Sequence, residues 1–314
     1  MSGSHELGFV YLSQESLILA GAFDMRMAMD TAESAMIAFE EERILFPDKI
    51  VQIFDESTQS RINCLPATLL DDQVCGVKWV SVFPENPKAG MQNLSAILVL
   101  SEIEHGFPIA VMEGTLASNM RVGAVGGIAA KYMSREDSEV IGFIGAGEQA
   151  KMHLLSVMVA RPGIKQCRVS SRSQDREREF VDQMGPILPD VEFVAVGSDH
   201  KAAVDGADIL VTATSAQAPL LKADWMKPGA FYSHVGGWED EYAVAQACDK
   251  IVCDSWETVT HRTQTLSRMH KEGLISADDI HADLHELVSG DKVGRDAPDE
   301  RAYFCAVGLA YLDV

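Results

Sequence analysis

Residues 24–46, DMRMAMDTAESAMIAFEEERILF, carry Met25, Met29, Ala32, Met36 and Phe39 at helical spacing, with Asp24 where an N-cap belongs. The spacing predicts a helix with one face in a core, and its methionines need no cofactor to explain them. Beyond it the period shortens. The runs VQIFD, RINCLPATL, VCGVKWVSVF, SAILVLSEI and PIAVMEG are short and apolar. Pro66, Gly76 and the PENPKAG loop punctuate them, which predicts a strand-rich region. A second helical pattern starts near Asn119 and continues through MRVGAVGGIAAKYM to about Met133.

From residue 139 strand and helix patterns alternate: EVIGFIGA, EQAKMHLLSVMVA, QCRVSSR, DREREFVDQMG, VEFVAV, HKAAVDGA, DILVTAT, AFYSHV and KIVCDS. The succession predicts a parallel sheet covered on both faces, the doubly wound Rossmann class. Helical patterns resume after 256, and the closing AYFCAVGLAYL is apolar enough to pack back on the first domain. No internal repeat or low-complexity tract interrupts the pattern.

At 314 residues, 47% hydrophobic and 23% charged, the chain is a packed protein longer than the usual single domain. The expected fold class is α/β in two domains, 1–125 with 295–314, and 126–294. A formal charge of −21 repels phosphate backbones and anionic lipid, so neither nucleic acid nor membrane is expected as a partner. No uncharged apolar stretch is long enough to span a bilayer. The start, MSGSHELGFVYLS, lacks a basic segment followed by an apolar core, so a cytoplasmic protein is expected. Cysteines 64, 75, 167, 248, 253 and 305 form no CxxC pair and read as reduced thiols.

The stretch VIGFIGAGEQA, 140–150, sets a glycine-rich turn between an apolar run and a helical pattern. A pyrophosphate can approach a helix's free N–H groups only where Cβ atoms are absent. Gly145 permits the tight turn, Gly147 the close approach, and Ala150 the packing of helix on strand. Gly145, Ala146, Gly147, Glu148 and Gln149 are therefore the candidate cofactor loop. At the end of the next strand, NAD sites favour an acid, and NADP sites favour arginine beside small hydroxyl residues. Here Ser171, Arg172 and Ser173 stand there and the first acid is Asp175, so NADP is favoured over NAD.

Five segments together resemble the ornithine cyclodeaminase and mu-crystallin family: GVKWVSVFPENPKAG (76–90), PIAVMEGTLASNMRVGAVGGIAAKYM (108–133), GFIGAGEQA (142–150), ADILVTATSAQAPLL (207–221) and KPGAFYSHVGG (227–237). They occur in family order. The resemblance implies a Rossmann domain plus a second, α+β domain that binds substrate and forms a homodimer. It implies that Lys78 contacts substrate near the reacting carbon and that Arg121 clamps a carboxylate. Both roles make physical sense, because a guanidinium fork meets a carboxylate bidentately and a buried lysine can exchange a proton with an imine. By the same resemblance Lys49 is a further carboxylate-binding base, with Arg61 as the local alternative, and Asn93 stands near the nicotinamide. Thr212, Ala213 and Thr214 would pass beneath the cofactor, and Val235 and Gly236 would line its nicotinamide end.

One departure from the family decides between chemistries. Cyclodeaminases of the family carry an aspartate directly after the paired glycines, in a GGDxPGKxEL-like motif, where this chain reads GGWEDEYAV. Trp238 fills the aspartate's place, and Glu239, Asp240 or Glu241 remain as shifted substitutes. The expected function is an NAD(P)H-dependent imine reductase or amino-acid dehydrogenase acting on a small α-imino, α-keto or α-amino acid. The rivals are a cyclodeaminase that recycles its NAD and a crystallin-like binding protein without turnover. His261, His270, His281 and His285 suggest no metal site, although the 281 to 285 spacing would suit one helical face. GDKVGRDAPDER reads as a charged turn ahead of the returning C-terminal segment.

Overall fold

A computed structural model describes residues 8–314. The reading of the first positions as lacking a leader falls mainly on 1–7, outside the described residues. The chain divides into two compact units, Met1–Arg121 with Leu309–Val314, and Val122–Gly308.

In the first unit the described residues form a seven-stranded sheet, with β1 (Val10–Leu12), β2 (Ile44–Leu45), β3 (Ile50–Asp55), β4 (Ser60–Leu69), β5 (Val74–Val82), β6 (Leu94–Glu102) and β7 (Pro108–Glu113). The order is β1-β7-β6-β5-β4-β2, β3 pairs with β4, and all pairs are antiparallel except β1 with β7. Two helices accompany it, α1 (Gln14–Leu19) and α2 (Met25–Glu40). Asp24 caps α2 by accepting from Met27 N at 3.0 Å, and Met25, Met29, Ala32 and Met36 are buried on one face, as their spacing predicts. The helix stops at Glu40; Glu42 takes a positive φ of 57°, and Ile44–Leu45 leaves as a strand.

The next helix, α3 (Thr115–Met133), starts four residues before the expected Asn119. The Glu113 carboxylate accepts from the amides of Thr115 at 2.6 Å and Leu116 at 3.1 Å, and so caps the first turn from just outside the helix. Further along, Gly123, Gly126 and Gly127 form a face without side chains against α4 (Glu148–Ala160). A Cβ on Gly126 would lie 2.3 Å from the His153 ring, so the GAVGG text records close helix packing.

The second unit holds an eight-stranded parallel sheet in the order β10-β9-β8-β11-β13-β17-β15-β16. Its strands are β8 (Val140–Ile144), β9 (Gln166–Ser170), β10 (Glu192–Ala195), β11 (Ile209–Thr212), β13 (Phe231–His234), β15 (Lys250–Cys253), β16 (Ala282–Asp283) and β17 (Ala302–Cys305). β12 (Gln217–Leu221) and β14 (Trp238–Asp240) form a separate parallel pair. The strands β11, β13, β15 and β17 are buried at every position, as a sheet covered on both faces requires.

Two expected boundaries move: the first unit's long stretch ends at Arg121 rather than at 125, and β17 shifts the other. Residues 295–308 belong to the second unit, because Ala302–Cys305 pairs with both β13 and β15 inside its sheet. Only Leu309–Val314 returns to the first. The charged turn ahead of β17 is anchored by one side chain, since Arg295 Nε donates to Met133 O at 2.9 Å and its Nη1 donates to Glu300 O at 2.6 Å. The segment thereby satisfies a carbonyl at the C-terminal end of α3.

Candidate functional site

The first unit brings two of the expected residues together. Lys78 lies on β5 between Leu65 of β4 and Leu98 of β6, all three on the buried face of the sheet. Arg121 comes from the second turn of α3. Both donate to the same oxygen, Asp313 Oδ1, Lys78 Nζ at 2.5 Å and Arg121 Nε at 2.6 Å. The Lys78 and Asp313 side chains are 3% and 1% exposed, whereas Arg121 keeps 14%. Burial pulls Lys78 down to about 8, helped by the positive charge of Arg121 and opposed by Asp313. An ammonium that gives up its proton near neutral pH is suited to acid–base work.

Asp313 was missed from the sequence, although a lone acid closing the apolar stretch AVGLAYLD was the available signal. The other candidates of this unit stand apart to differing degrees. Lys49 precedes β3, next to the Ile50↔Cys64 pair that ends its register with β4. Arg61 lies on β4 four residues before Leu65; its Nη1 donates to Gln59 O at 2.8 Å and burial lowers its pKa. Asn93 is exposed and precedes β6, five positions along from Lys78 and with the opposite strand parity. The structure does not bring Asn93 to the Lys78–Arg121 pair.

In the second unit the candidate cofactor residues gather at the carboxyl ends of neighbouring strands, where β9 lies on one side of β8 and β11 on the other. Gly145 has φ +111° and donates its N–H to Ser170 O at 2.9 Å. A Cβ there would lie 2.4 Å from Ala213 O, so only glycine fits. Gly147 is the N-cap of the 13-residue α4, with no side-chain cap, and no atom lies within 4 Å of where its Cβ would be. Ala146 is buried at the turn, Glu148 and Gln149 begin the helix, and Ala150 packs inside. An uncapped helix N-terminus behind an open cradle fits a pyrophosphate.

At the end of β9, Arg172 is exposed between half-buried Ser171 and Ser173, which caps α5 (Gln174–Met184). Of the two acids in the first turn of α5, Asp175 is exposed and pairs with Arg178, while buried Glu177 accepts from Ser171 N at 2.5 Å and Gly197 N at 3.1 Å. His200, bonded through Nδ1 to Ser170 Oγ at 3.0 Å, has a pKa lowered by burial and by neighbouring Arg172.

Thr212 ends β11 and Ala213 and Thr214 follow it; Val235 N donates to Thr212 O at 3.1 Å, and a buried carboxylate ties Thr212 and Thr214 to Gly236 after β13. Glu239 Oε1 accepts from Thr214 N at 2.5 Å and Thr214 Oγ1 at 2.6 Å, while Oε2 accepts from Thr212 Oγ1 at 2.9 Å and Gly236 N at 2.7 Å. Burial pushes Glu239 above the usual carboxylate range, with His234 and these donors opposing. Asp240 is equally buried; Thr265 Oγ1 donates to its Oδ1 at 2.6 Å and Tyr303 OH to its Oδ2 at 3.0 Å, and burial raises it to about 7. Trp238, in the place of the family aspartate, has the Arg268 guanidinium 4.5 Å from its ring centroid.

The histidine pair does not share a helical face: His281 precedes β16, and His285 lies in the following helix Leu284–Ser289. Among the described residues no group of three or more His, Cys, Asp or Glu could hold a metal ion.

Three comparisons bear on this arrangement. The sequence model of the ornithine cyclodeaminase/mu-crystallin family matches residues 17–314. The structure of Thermococcus litoralis Δ1-pyrroline-2-carboxylate reductase in complex with NADH and L-proline superimposes with a TM-score of 0.92 at 32% identity, covering 97% of this chain and 94% of that one. An archaeal alanine dehydrogenase dimer with bound NAD gives a TM-score of 0.87 at 30% identity, over 98% of this chain and 92% of that one. Among curated sequences, the Δ1-pyrroline-2-carboxylate reductase of Bacillus cereus is 30% identical over 297 residues, 93% of this chain and 90% of its own.

Proposed function

This chain belongs to the ornithine cyclodeaminase/mu-crystallin family, and from that premise we propose that it is an NAD(P)H-dependent imine reductase or amino-acid dehydrogenase, interconverting a small α-imino or α-keto acid and the α-amino acid. The observation that carries the reading is the buried convergence of Lys78 and Arg121 on one carboxylate. A site that holds one carboxylate between a lysine and an arginine has the chemistry to bind a second, from substrate, at the outer edge of the guanidinium. Arg121 takes the substrate carboxylate. Lys78 gives a proton to the imine nitrogen and regains it from water. A reduced nicotinamide, when bound, would supply the hydride for the imine carbon. Gly145 and the open end of α4 would hold its pyrophosphate, with Thr212–Thr214, Val235 and Gly236 toward the nicotinamide.

Two further residue sets narrow the reading. Glu239 and Asp240 spend their oxygens on internal hydrogen bonds and Trp238 offers no carboxylate, which leaves half-buried Glu241 as the one shifted substitute of that stretch and weighs against a cyclodeaminase. The Ser171–Arg172–Ser173 turn presents a guanidinium while Glu177 is sequestered, which favours a 2′-phosphate and hence NADP over NAD. We place the enzyme in the cytoplasm, where its six free cysteines suit a reducing compartment.

Purified protein incubated with NADPH or NADH and a panel of imino acids, Δ1-pyrroline-2-carboxylate among them, should steadily consume the reduced cofactor, faster with NADPH. Arg121→Ala should raise KM and lower kcat/KM by about tenfold or more, the cost of a lost charge-assisted pair. Ammonia release from ornithine with no net change in cofactor would instead establish the lyase, and cofactor binding without turnover the crystallin-like protein.

A further inference from the structure

The C-terminal segment Leu309–Val314 is built into the first unit by three independent contacts. Tyr311 stacks on Phe39 of α2 with ring centroids 5.0 Å apart and meets Phe46 edge-on at 5.3 Å. Val314 lies over Gly76, where a Cβ would come within 2.6 Å of its Cγ1, so the glycine two positions before Lys78 makes room for the segment. Between these anchors the 3-10 turn Ala310–Leu312 presents Asp313, whose N–H donates back to Ala310 O at 2.9 Å. The turn aims Oδ1 at both cations of the cradle.

We propose that Asp313 is a positioning residue: it fixes Lys78 and Arg121 relative to each other and keeps Lys78 in the charged form needed to protonate an imine. The groups facing Lys78 are few. Arg121 comes from α3 and Asp313 from the terminal turn, while its cross-strand neighbours, Leu65 and Leu98, carry no charge. Burial and Arg121 both act to strip the proton from Lys78, and among the described residues Asp313 acts to keep it. Without that carboxylate, two cations would share a site shielded from water, and the lysine is the one able to become neutral. Asp313 needs no contact with substrate for this. It acts through Lys78.

The kinetic arm of the test rests on the reductase reading, and an NMR arm does not. In the intact, isotope-labelled protein, the pH dependence of the Lys78 13Cε chemical shift, read by NMR, reports the lysine's titration directly, buried as it is. Asp313→Asn should move that midpoint down by about one pH unit or more, and Asp313→Glu should restore it. In the reductive direction the alkaline limb of kcat/KM should move down with it. The loss should reach about tenfold near pH 8 and shrink toward pH 6, where the variant's lysine still holds its proton. KM should rise as well, since Asp313 also positions Arg121, but the pH-dependent part of the loss should lie in kcat. If Asp313→Asn misfolds, Asp313→Ser is labelled in its place. An unmoved midpoint in a folded variant overturns the proposal, even if the wild type reduces imines. A shifted midpoint in a protein that turns over no imino acid supports the role of Asp313 while removing the reductase reading.

Discussion

At the scale of single residues, the flanking text decided what was legible. Lys78 and Arg121 could be singled out because GVKWVS and NMRVGA surround them with motif, whereas Asp313 stands alone among apolar neighbours with nothing local to announce its partners, 235 and 192 residues away. Glu239 and Asp240 were legible as acids but not as interior ones, since burial is a property of the sheet they follow. Asp240 carries a pH consequence. Its folded pKa, about 7, stands above the ordinary 3.8, so the folded protein holds a proton that the unfolded chain releases. Sign and window follow: below about pH 4 both states are protonated and Asp240 is neutral to stability, and folding is progressively penalised as pH rises toward about 7, then uniformly beyond it. Asp240→Asn should accordingly match wild type in thermal unfolding near pH 4 and exceed it by a growing margin up to pH 8. An Asn variant whose advantage is flat with pH would show that this carboxyl does not titrate in that range.

Secondary-structure elements were read more completely than their ends. The alternation from 139 onward fixed the Rossmann class, because a glycine turn between buried strand and helix leaves few other arrangements. Boundaries moved where a side chain outside the repeat intervened: Glu113 pulled the start of α3 forward, and the pairing of β17 with two neighbours held Ala302–Cys305 in the second unit. A four-residue apolar strand followed by an apolar tail gives no local mark of where one ends. The β8–α4 turn makes its own prediction. Gly145→Ala must force a Cβ to 2.4 Å from Ala213 O at φ +111°, so backbone has to move. Cofactor affinity measured by nicotinamide fluorescence should fall by about tenfold or more, with a lower unfolding temperature. Gly147→Ala, which meets open space in the protein itself, should keep the stability and lose only affinity.

For the whole molecule, the sheet of the first unit leaves one face uncovered. Ile50, Cys64, Trp79 and Ile97 form a row across β3 to β6 on the side opposite Lys78, and Ile50, Trp79 and Ile97 are 61%, 40% and 44% exposed. Apolar rows of this kind mark association surfaces. The archaeal alanine dehydrogenase is a dimer, and this row is the surface on which a like contact between copies of this chain is to be tested. Trp79→Glu combined with Ile97→Glu should yield a monomer by light scattering, and a double variant that remains dimeric would move the interface elsewhere. No helix of the described residues is long and apolar enough to cross a membrane. The joining of Lys78 to Asp313 also dictates an order of assembly during refolding. Closing so long a loop in a disordered chain carries a large entropic cost, and that cost falls once the intervening Val122–Gly308 has collapsed into its own sheet. The joining of Lys78 to Asp313 should therefore follow formation of the parallel sheet, in a slower phase of refolding.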